Sequence, residues 1–315
     1  MMRKLTALFL ALSLALTLFG CGAKGEESGK LRVVTTLFPY YDFARAIAGD
    51  KAEVTLLLSP GREAHSFEPT PLDALTIAEA DVFLCNGGED EHWVTDMLAA
   101  VGEEIGTVVK LLEVTPPEGE PHRHGEFEHD HEHDHGGDEI EYDEHVWTSL
   151  HSAIELCRAV GETLAAADAE NAALYRENCE NYCAELAALD EEFHVLRHAA
   201  VRDTLIFADR FPFHHFCEQY EIHHRAAFHG CATDTEPSLG ILKELIDEVE
   251  HEDVPVVYVV DLGSEKIAEV VSECTGAAVA RLYSGQTVSR EDFDAGVTYP
   301  DLLRRNLESL KEGLL

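Results

Sequence analysis

The sequence is poor in basic residues: 23 Lys and Arg stand against 61 Asp and Glu, and the formal net charge of the 315 residues is −38. A chain with this charge is repelled by the phosphate backbone of nucleic acids and by anionic membrane surfaces. We therefore exclude nucleic acid as a partner. The same negative field concentrates cations, and 18 His is a high number for this length, so metal ions are the first class of partner to consider.

Motifs of common enzymes and of dithiol chemistry are also missing. The sequence contains no G-x-S-x-G elbow and no P-loop, which argues against a serine hydrolase and a nucleotide-binding enzyme. It contains no C-x-x-C pair, and without Cys21 seven of its eight cysteines remain, an odd number that cannot be fully paired within one chain. Cys179 belongs to an apolar helical stripe, and we expect it to act as a small buried hydrophobic residue.

The amino end has the pattern of an export signal with a lipid attachment site. Arg3 and Lys4 precede an apolar run over 5–19, which is shorter than the roughly 20 residues that cross a bilayer as a helix. The run ends in L-F-G-C, which resembles a bacterial lipobox, and polar residues follow it. We predict cleavage before Cys21, a lipid on its sulfur, a tether over 22–30 and a location at the outer face of the bacterial cell membrane.

Short apolar or β-branched segments alternate with helical patterns on both sides of a long helical region. The predicted strands lie near 31–36, 53–58, 81–86, 203–208, 255–260 and 277–283. This alternation predicts an α/β fold of two lobes, each a mostly parallel sheet flanked by helices, joined by one long rigid helix. The predicted divisions are a signal peptide at 1–21, the tether, an N-terminal lobe over 31–148, the linking helix over 149–200 and a C-terminal lobe over 201–315.

The linking region carries a seven-residue apolar repeat. Its members are spaced alternately four and three residues apart and are Tyr175, Cys179, Tyr182, Leu186, Leu189, Phe193 and Leu196. The repeat predicts a long helix with one continuous buried seam, and the helical region has one interruption near Asp168. A dimeric coiled coil would use the same seam, but we expect a helix that lies along both lobes of a monomer.

Residues 116–144 interrupt the first lobe with a segment that cannot bury a core. Between Pro117 and His145 it holds six His, twelve acids and one Arg, and we predict a disordered loop. The histidines proposed to contact metal there are His122, His124, His129, His131, His133 and His135. A disordered chain loses conformational entropy when it wraps an ion, so we expect sites weaker than a preformed cleft, suited to capture, sensing or buffering.

The segments that follow the predicted strands are where a binding site is expected, because ligands of open α/β sheets bind beyond the carboxyl ends of the strands. His65 lies in a Pro- and Gly-bounded loop after 53–58, and His145 follows the acidic segment and precedes the long helix. The 80 residues between them fit neither a zinc finger nor a helical metal motif, so spacing alone does not make these two residues neighbours.

Motifs along roughly 31–313 resemble the metal-binding solute-binding lipoproteins of zinc and manganese ABC importers. The resemblance rests on the order of H-x-x-E-P, an acidic His-rich insertion and H-x-W, with T-T-L-F-P-Y-Y-D-F near the start and G-V-T-Y-P-D-L-L near the end. It implies a rigid two-lobed binder rather than an enzyme, one metal in the cleft between the lobes and delivery to a membrane permease. By motif position it implies His65 and His145 as the ligands of the first lobe.

The second lobe departs from the family pattern. Arg210, in F-A-D-R-F-P-F, takes the position where the family usually has His or Glu, and a guanidinium has no lone pair for a cation. The family's last ligand, an acid after the final strand, has no clear counterpart in R-L-Y-S-G-Q-T. The acids that could complete the site are Asp209, Glu236 and Asp261, and the histidines are His214 and His215.

Each of these acids also has a structural interpretation. Asp209 could pair with Arg210, Glu236 could cap a helix, and Asp261 could cap a helix over 264–275. Two matched histidines and the His-rich loop favour Zn²⁺, with Mn²⁺ as the second choice. A manganese or iron homologue, a surface adhesin and a metal buffer that relies on the loop alone stay open as alternatives.

Overall fold

Two four-stranded parallel sheets organise the chain, and the predicted two-lobed α/β fold is confirmed. This computed structural model describes residues 29–102, 105–116, 143–228 and 238–315. The strands are β1 (Leu31–Thr35), β2 (Ala52–Leu56), β3 (Val82–Cys85), β4 (Thr107–Lys110), β5 (Thr204–Phe207), β6 (His223–Ala226), β7 (Val256–Val260) and β8 (Ala278–Leu282). Their order is β2-β1-β3-β4 in the first sheet and β6-β5-β7-β8 in the second. The two sheets therefore repeat one topology.

Helices cover the sheets and connect them. They are α1 (Phe38–Ala48), α2 (Pro71–Ala78), α3 (His92–Val101), α4 (Leu150–Ala167), α5 (Ala172–Ala199), α6 (His214–Gln219), α7 (Leu239–Glu252), α8 (Lys266–Thr275), α9 (Arg290–Ala295) and α10 (Tyr299–Leu314). Several begin at a polar N-cap, as at Thr70 and Thr298, whose side chains form capping boxes with Asp73 and Asp301. In the described ranges, no helix is both long enough and apolar enough to span a membrane.

The hydrophobic pattern of the sequence reveals the central strands, but it does not reveal two of the edge strands. All residues of β3 and β7 are buried, and their apolar runs are evident in the sequence. The edge strands β4 and β6 have four residues each, and none of these residues is fully buried. Exposed and partly buried residues alternate in β6, and β4 has one exposed residue followed by three partly buried ones. Such short segments at the rim of a sheet give little hydrophobic pattern, so the sequence did not predict them.

The linking region consists of α4 and α5, which pack against each other. All seven members of the apolar repeat are buried. The interruption lies at Asp168, whose carboxylate accepts hydrogen bonds from Asn171 Nδ2 at 2.7 Å and from the Tyr175 hydroxyl at 2.8 Å. Because α5 packs on α1 of the first lobe and on α10 of the second, it lies along both lobes.

A buried carboxylate ties α1, α5 and α10 together. Asp42 is fully buried, and its Oδ2 accepts hydrogen bonds from the Tyr182 hydroxyl at 2.6 Å and from the Tyr299 backbone N–H at 2.8 Å. Its Oδ1 accepts from the Arg45 guanidinium at 2.7 Å. One side chain thus satisfies donors from both lobes and from the linking helix, which favours a fixed arrangement of the three.

We expect Asp42→Ala to lower the free energy of unfolding by about 2–3 kcal/mol, because it leaves a buried hydroxyl and a buried N–H without their acceptor. Chemical denaturation followed by circular dichroism measures this loss. Asp50→Ala is the matched control, since Asp50 follows the same helix and its side chain is 83% exposed. Equal stability of the two variants would show that the Asp42 network does not join the lobes energetically.

A crossing segment after β8 connects the second lobe to the first. The Gly61 N–H donates to the Val288 carbonyl at 2.7 Å, and the Phe38 N–H donates to the Gln286 carbonyl at 3.2 Å. The Trp147 indole N–H donates to the Ser284 carbonyl at 2.9 Å. Consistent with these bonds, Leu31–Leu315 form one compact unit.

Several predicted features lie outside the described residues. They are the signal peptide with Cys21, most of the tether, the candidate ligand Glu236 and the loop histidines His122, His124, His129, His131, His133 and His135. The last two residues of the predicted loop, Asp143 and Glu144, belong to the described structure.

Candidate metal centre

The fold brings the two predicted first-lobe ligands together. His65 lies in the loop between β2 and α2, and His145 immediately precedes a 3₁₀ turn over Val146–Thr148 that leads into α4. Their ring centroids are 5.7 Å apart, with an angle of 53° between the ring planes. Two imidazoles at this separation can bind one metal ion, which the 80-residue spacing does not suggest.

His145 is held in a defined orientation by the carboxylate of Asp143. The Asp143 Oδ1 lies 2.7 Å from His145 Nδ1 and accepts the His145 backbone N–H at 2.8 Å. Because an ionised carboxylate only accepts, the neutral imidazole carries its proton on Nδ1 and keeps its lone pair on Nε2. The ring also packs edge-on against Trp147, with centroids 5.2 Å apart. This carboxylate–histidine arrangement is the one that orients metal ligands.

His65 repeats the arrangement with a different acid. Its Nδ1 lies 3.3 Å from Asp90 Oδ2, and its Nε2 is a buried atom. Burial by itself raises the pKa of Asp90, but the hydrogen bond and charge of His65 outweigh it and lower that pKa. Burial also raises the pKa of Asp143, and the charge and hydrogen bond of His145 lower it well below its ordinary value. Both acids are therefore ionised at neutral pH.

We expect Asp143→Ala to weaken metal binding by about 10- to 100-fold, the usual effect of losing the acid behind a ligating histidine. Isothermal titration with Zn²⁺ measures the change. Asp143→Asn is the matched control, because its amide oxygen can still accept from Nδ1 and should retain most of the affinity. If the alanine variant binds as tightly as the parent, Asp143 does not orient a ligand.

The second lobe contributes an arginine to the wall of the cleft. A small cavity is lined by Glu63, His65, Pro212, Val260, Ser284, Gln286 and Thr287 together with Arg210 and Asp261. The volume of this cavity is about 10 Å³, enough for one water or ion. Arg210 Nη1 lies 2.8 Å from Glu63 Oε2, so an ion pair joins the two lobes beside His65.

Asp209 is buried and bonded to the backbone of its own lobe. Its Oδ2 accepts the Val260 N–H at 3.0 Å, and its Oδ1 accepts the Arg210 N–H at 2.8 Å. Gly263 packs so closely that a Cβ there would lie 1.7 Å from the carboxylate. These contacts give Asp209 the role of fixing the loop that carries Arg210.

Asp261 shares the cavity with His65. Its φ of 33° is left-handed, and its Oδ1 accepts the Ser284 N–H at 2.9 Å while Oδ2 accepts the Ser284 hydroxyl. Burial raises the pKa of Asp261 to about 6, the Glu63 charge adds to the rise, and the Ser284 hydrogen bonds and the Arg210 charge oppose it. A nearby cation would stabilise its ionised form. Helix α8 begins five residues later with Glu265 at its N-cap, so Asp261 does not cap it.

The two adjacent histidines of α6 have different surroundings. His215 is buried, and its Nε2 lies 2.8 Å from the Asp143 carbonyl, so the second lobe supports the loop that carries His145. His214 Nε2 lies 3.9 Å from Glu218 on the same helix.

Most of the chain matches one family of known proteins. The family described as "Zinc-uptake complex component A periplasmic" matches residues 33–313. The chain belongs to this zinc-uptake family. The predicted resemblance is therefore confirmed, and the family is one of extracytoplasmic metal-binding transport proteins rather than enzymes.

Three similar proteins illustrate the family. The chain is 30% identical over 322 residues to the high-affinity zinc uptake system protein ZnuA of Bacillus subtilis, covering 100% of this chain and 99% of that one. It is 30% identical over 315 residues to the zinc-binding lipoprotein AdcA of Streptococcus pneumoniae, covering 98% of this chain but only 61% of the relative's length. The crystal structure of the metal-dependent lipoprotein YcdH from Bacillus subtilis superposes with a TM-score of 0.76 at 28% identity, covering 91% of this chain and 100% of that one.

Three acids beside the candidate ligands were not predicted from the sequence. Asp143 and Asp90 contact the two histidines, and Glu63 pairs with Arg210. Asp143 precedes His145 by two residues, a local signal that could have suggested a supporting carboxylate. Asp90 and Glu63 carry no such signal, since each meets its partner only through the fold.

Proposed function

We propose that this chain captures Zn²⁺ in the cleft between its lobes and delivers it to the permease of an ABC importer. The observation that carries the proposal is the meeting of His65 and His145, each with a carboxylate at Nδ1. With the Nδ1 proton of each ring facing its carboxylate, each Nε2 keeps a lone pair that can bind an ion. The zinc-binding names of the similar proteins support the same cargo.

The donor set favours zinc over manganese. Imidazole suits Zn²⁺, whereas carboxylate, carbonyl and water oxygens suit Mn²⁺. We propose Asp261 as the ligand from the second lobe, with water in the fourth position of a tetrahedral site. Asp209 is the weaker candidate of the two, because it accepts two backbone N–H groups and is not among the residues that line the cavity beside His65. Glu236 stays a candidate from the sequence.

The charge of Arg210 is compatible with a bound cation because Glu63 pairs with it. The 2.8 Å contact between them places a negative group on the side of the guanidinium that faces the first lobe. We propose that this pair replaces the family's usual His or Glu ligand with a link that holds the lobes together. The site would then bind zinc with fewer protein ligands than the family pattern provides.

The His-rich loop is proposed to collect ions for the cleft. Its last histidine, His135, is ten residues from His145, so an ion held there is at most about 35 Å from the cleft along the chain. We further propose that the protein is a monomer anchored through a lipid on Cys21 at the outer face of the cell membrane. The export pattern of the sequence and the lipoprotein name of AdcA support the lipid anchor.

Anomalous diffraction on either side of the zinc absorption edge tests the location of the cargo. Crystals grown with one equivalent of Zn²⁺ should show a peak bounded by Nε2 of His65 and Nε2 of His145, with the Asp261 carboxylate nearby. A peak bounded by neither histidine would contradict the proposal. The same data collected with Mn²⁺ should give weaker occupancy at that position.

A further inference from the structure

Three cysteines converge between α4 and α5, and none of them lines the cavity beside His65. The Sγ atoms of Cys157, Cys179 and Cys183 all lie within 4.8 Å of one another, and all three residues are buried. Cys179 and Cys183 are four residues apart on α5 and so share one face of that helix, while Cys157 approaches from α4. The sequence predicted Cys179 as a buried hydrophobic residue, and it is buried, but its neighbours are two other thiols.

A glycine makes this approach of the two helices possible. A Cβ at Gly161 of α4 would lie 2.7 Å from the Cys179 sulfur, closer than real atoms come. The thiols themselves donate to carbonyls of α4: Cys179 to the Cys157 carbonyl at 3.5 Å and Cys183 to the Ile154 carbonyl at 3.8 Å. Rotation of these side chains away from the carbonyls would release the sulfurs toward a common centre.

The separations of the sulfurs, at most 4.8 Å, are compatible with a three-coordinate metal. With metal–sulfur bonds of about 2.3 Å, an ion in the plane of three sulfurs places them about 4.0 Å apart. In the described part of the chain, no His, Asp or Glu joins this cluster. The donor set is therefore three sulfurs, whereas structural Zn²⁺ almost always takes four ligands.

We propose that Cys157, Cys179 and Cys183 form a buried three-thiolate site for Cu(I). Soft thiolate ligands select Cu(I). This donor set distinguishes the cysteine site from the cleft, whose candidate ligands are imidazoles and a carboxylate. Each thiol that binds releases its proton to solvent, so no oxidant or reductant takes part.

Anaerobic titration with Cu(I) held by a competing chromophoric chelator tests the proposal on the purified, reduced protein. The parent should withdraw one equivalent of Cu(I) tightly, and Cys157→Ser or Cys183→Ser should lower that affinity by at least about a hundredfold. Cys85→Ser and Cys217→Ser are the matched controls, because each removes one buried thiol outside the cluster. Both should bind as the parent does.

Two further measurements keep the result interpretable if a serine variant folds poorly. X-ray absorption of the Cu(I)-loaded parent should show three sulfur neighbours; nitrogen neighbours would assign the copper to histidines and overturn the proposal. Mass spectrometry of alkylated protein isolated without reductant should find three free thiols, and a disulfide among them would overturn it as well. Unchanged affinity in folded Cys157→Ser protein would have the same meaning.

Discussion

Replacing Arg210 by histidine is expected to tighten zinc binding by at least about tenfold, which corresponds to about 1.4 kcal/mol. Arg210 lines the same small cavity as His65 and Asp261. The substitution removes a permanent positive charge and leaves its former partner, the Glu63 carboxylate, beside the cavity, so the local charge becomes more favourable for a divalent ion. It also supplies an imidazole at the position where the family resemblance implies one.

Arg210→Ala is the matched control for that gain. It removes the same charge and the same ion pair with Glu63 but adds no ligand, so its zinc affinity should lie below that of Arg210→His. Competition with a fluorescent zinc chelator measures all three proteins on one scale. Equal affinities of the alanine and histidine variants would show that position 210 cannot reach the ion, and weaker binding by both would show that Arg210 supports the site.

Removing either first-lobe histidine is expected to weaken zinc binding by about 100- to 1,000-fold, about 3–4 kcal/mol. Each imidazole supplies one of the few protein ligands, and truncating His145 also removes the imidazole partner of Asp143, whose side chain is only 7% exposed. The same chelator competition on His65→Ala and His145→Ala measures this loss.

His151→Ala is the control for these variants. His151 lies on α4, six residues after His145, and its side chain is 77% exposed. Its removal should leave zinc affinity within about twofold. A loss as large as that of His145→Ala would mean that histidine content, rather than the geometry of the cleft, determines the affinity.

The long helix illustrates what local periodicity predicts well. Seven apolar residues from Tyr175 to Leu196 are spaced so that they fall on one helical stripe, and all are buried. Their burial follows from the sequence because every member of the stripe meets the same packed surface. The chemistry of Cys179 does not follow, since its thiol neighbour Cys157 belongs to another helix.

The candidate site was predictable only where a motif marks it. His65 and His145 were named through the family resemblance, and the structure places their rings 5.7 Å apart. Glu63 and Arg210 are 147 residues apart in sequence, so nothing local indicates that they pair. Asp143 lies at the end of a strongly acidic segment, and composition alone does not separate a buried acid from solvated ones.

The most direct test of the account is a competitive zinc titration of three proteins: the intact chain, a deletion of 118–141, and that deletion carrying His145→Ala. The deletion removes the loop histidines and leaves Asp143 in place. We predict one tight site that survives the deletion and disappears when His145 is replaced. If all tight binding is lost with the loop, the cleft does not bind zinc, and the proposed role as the zinc-binding component of an importer is contradicted.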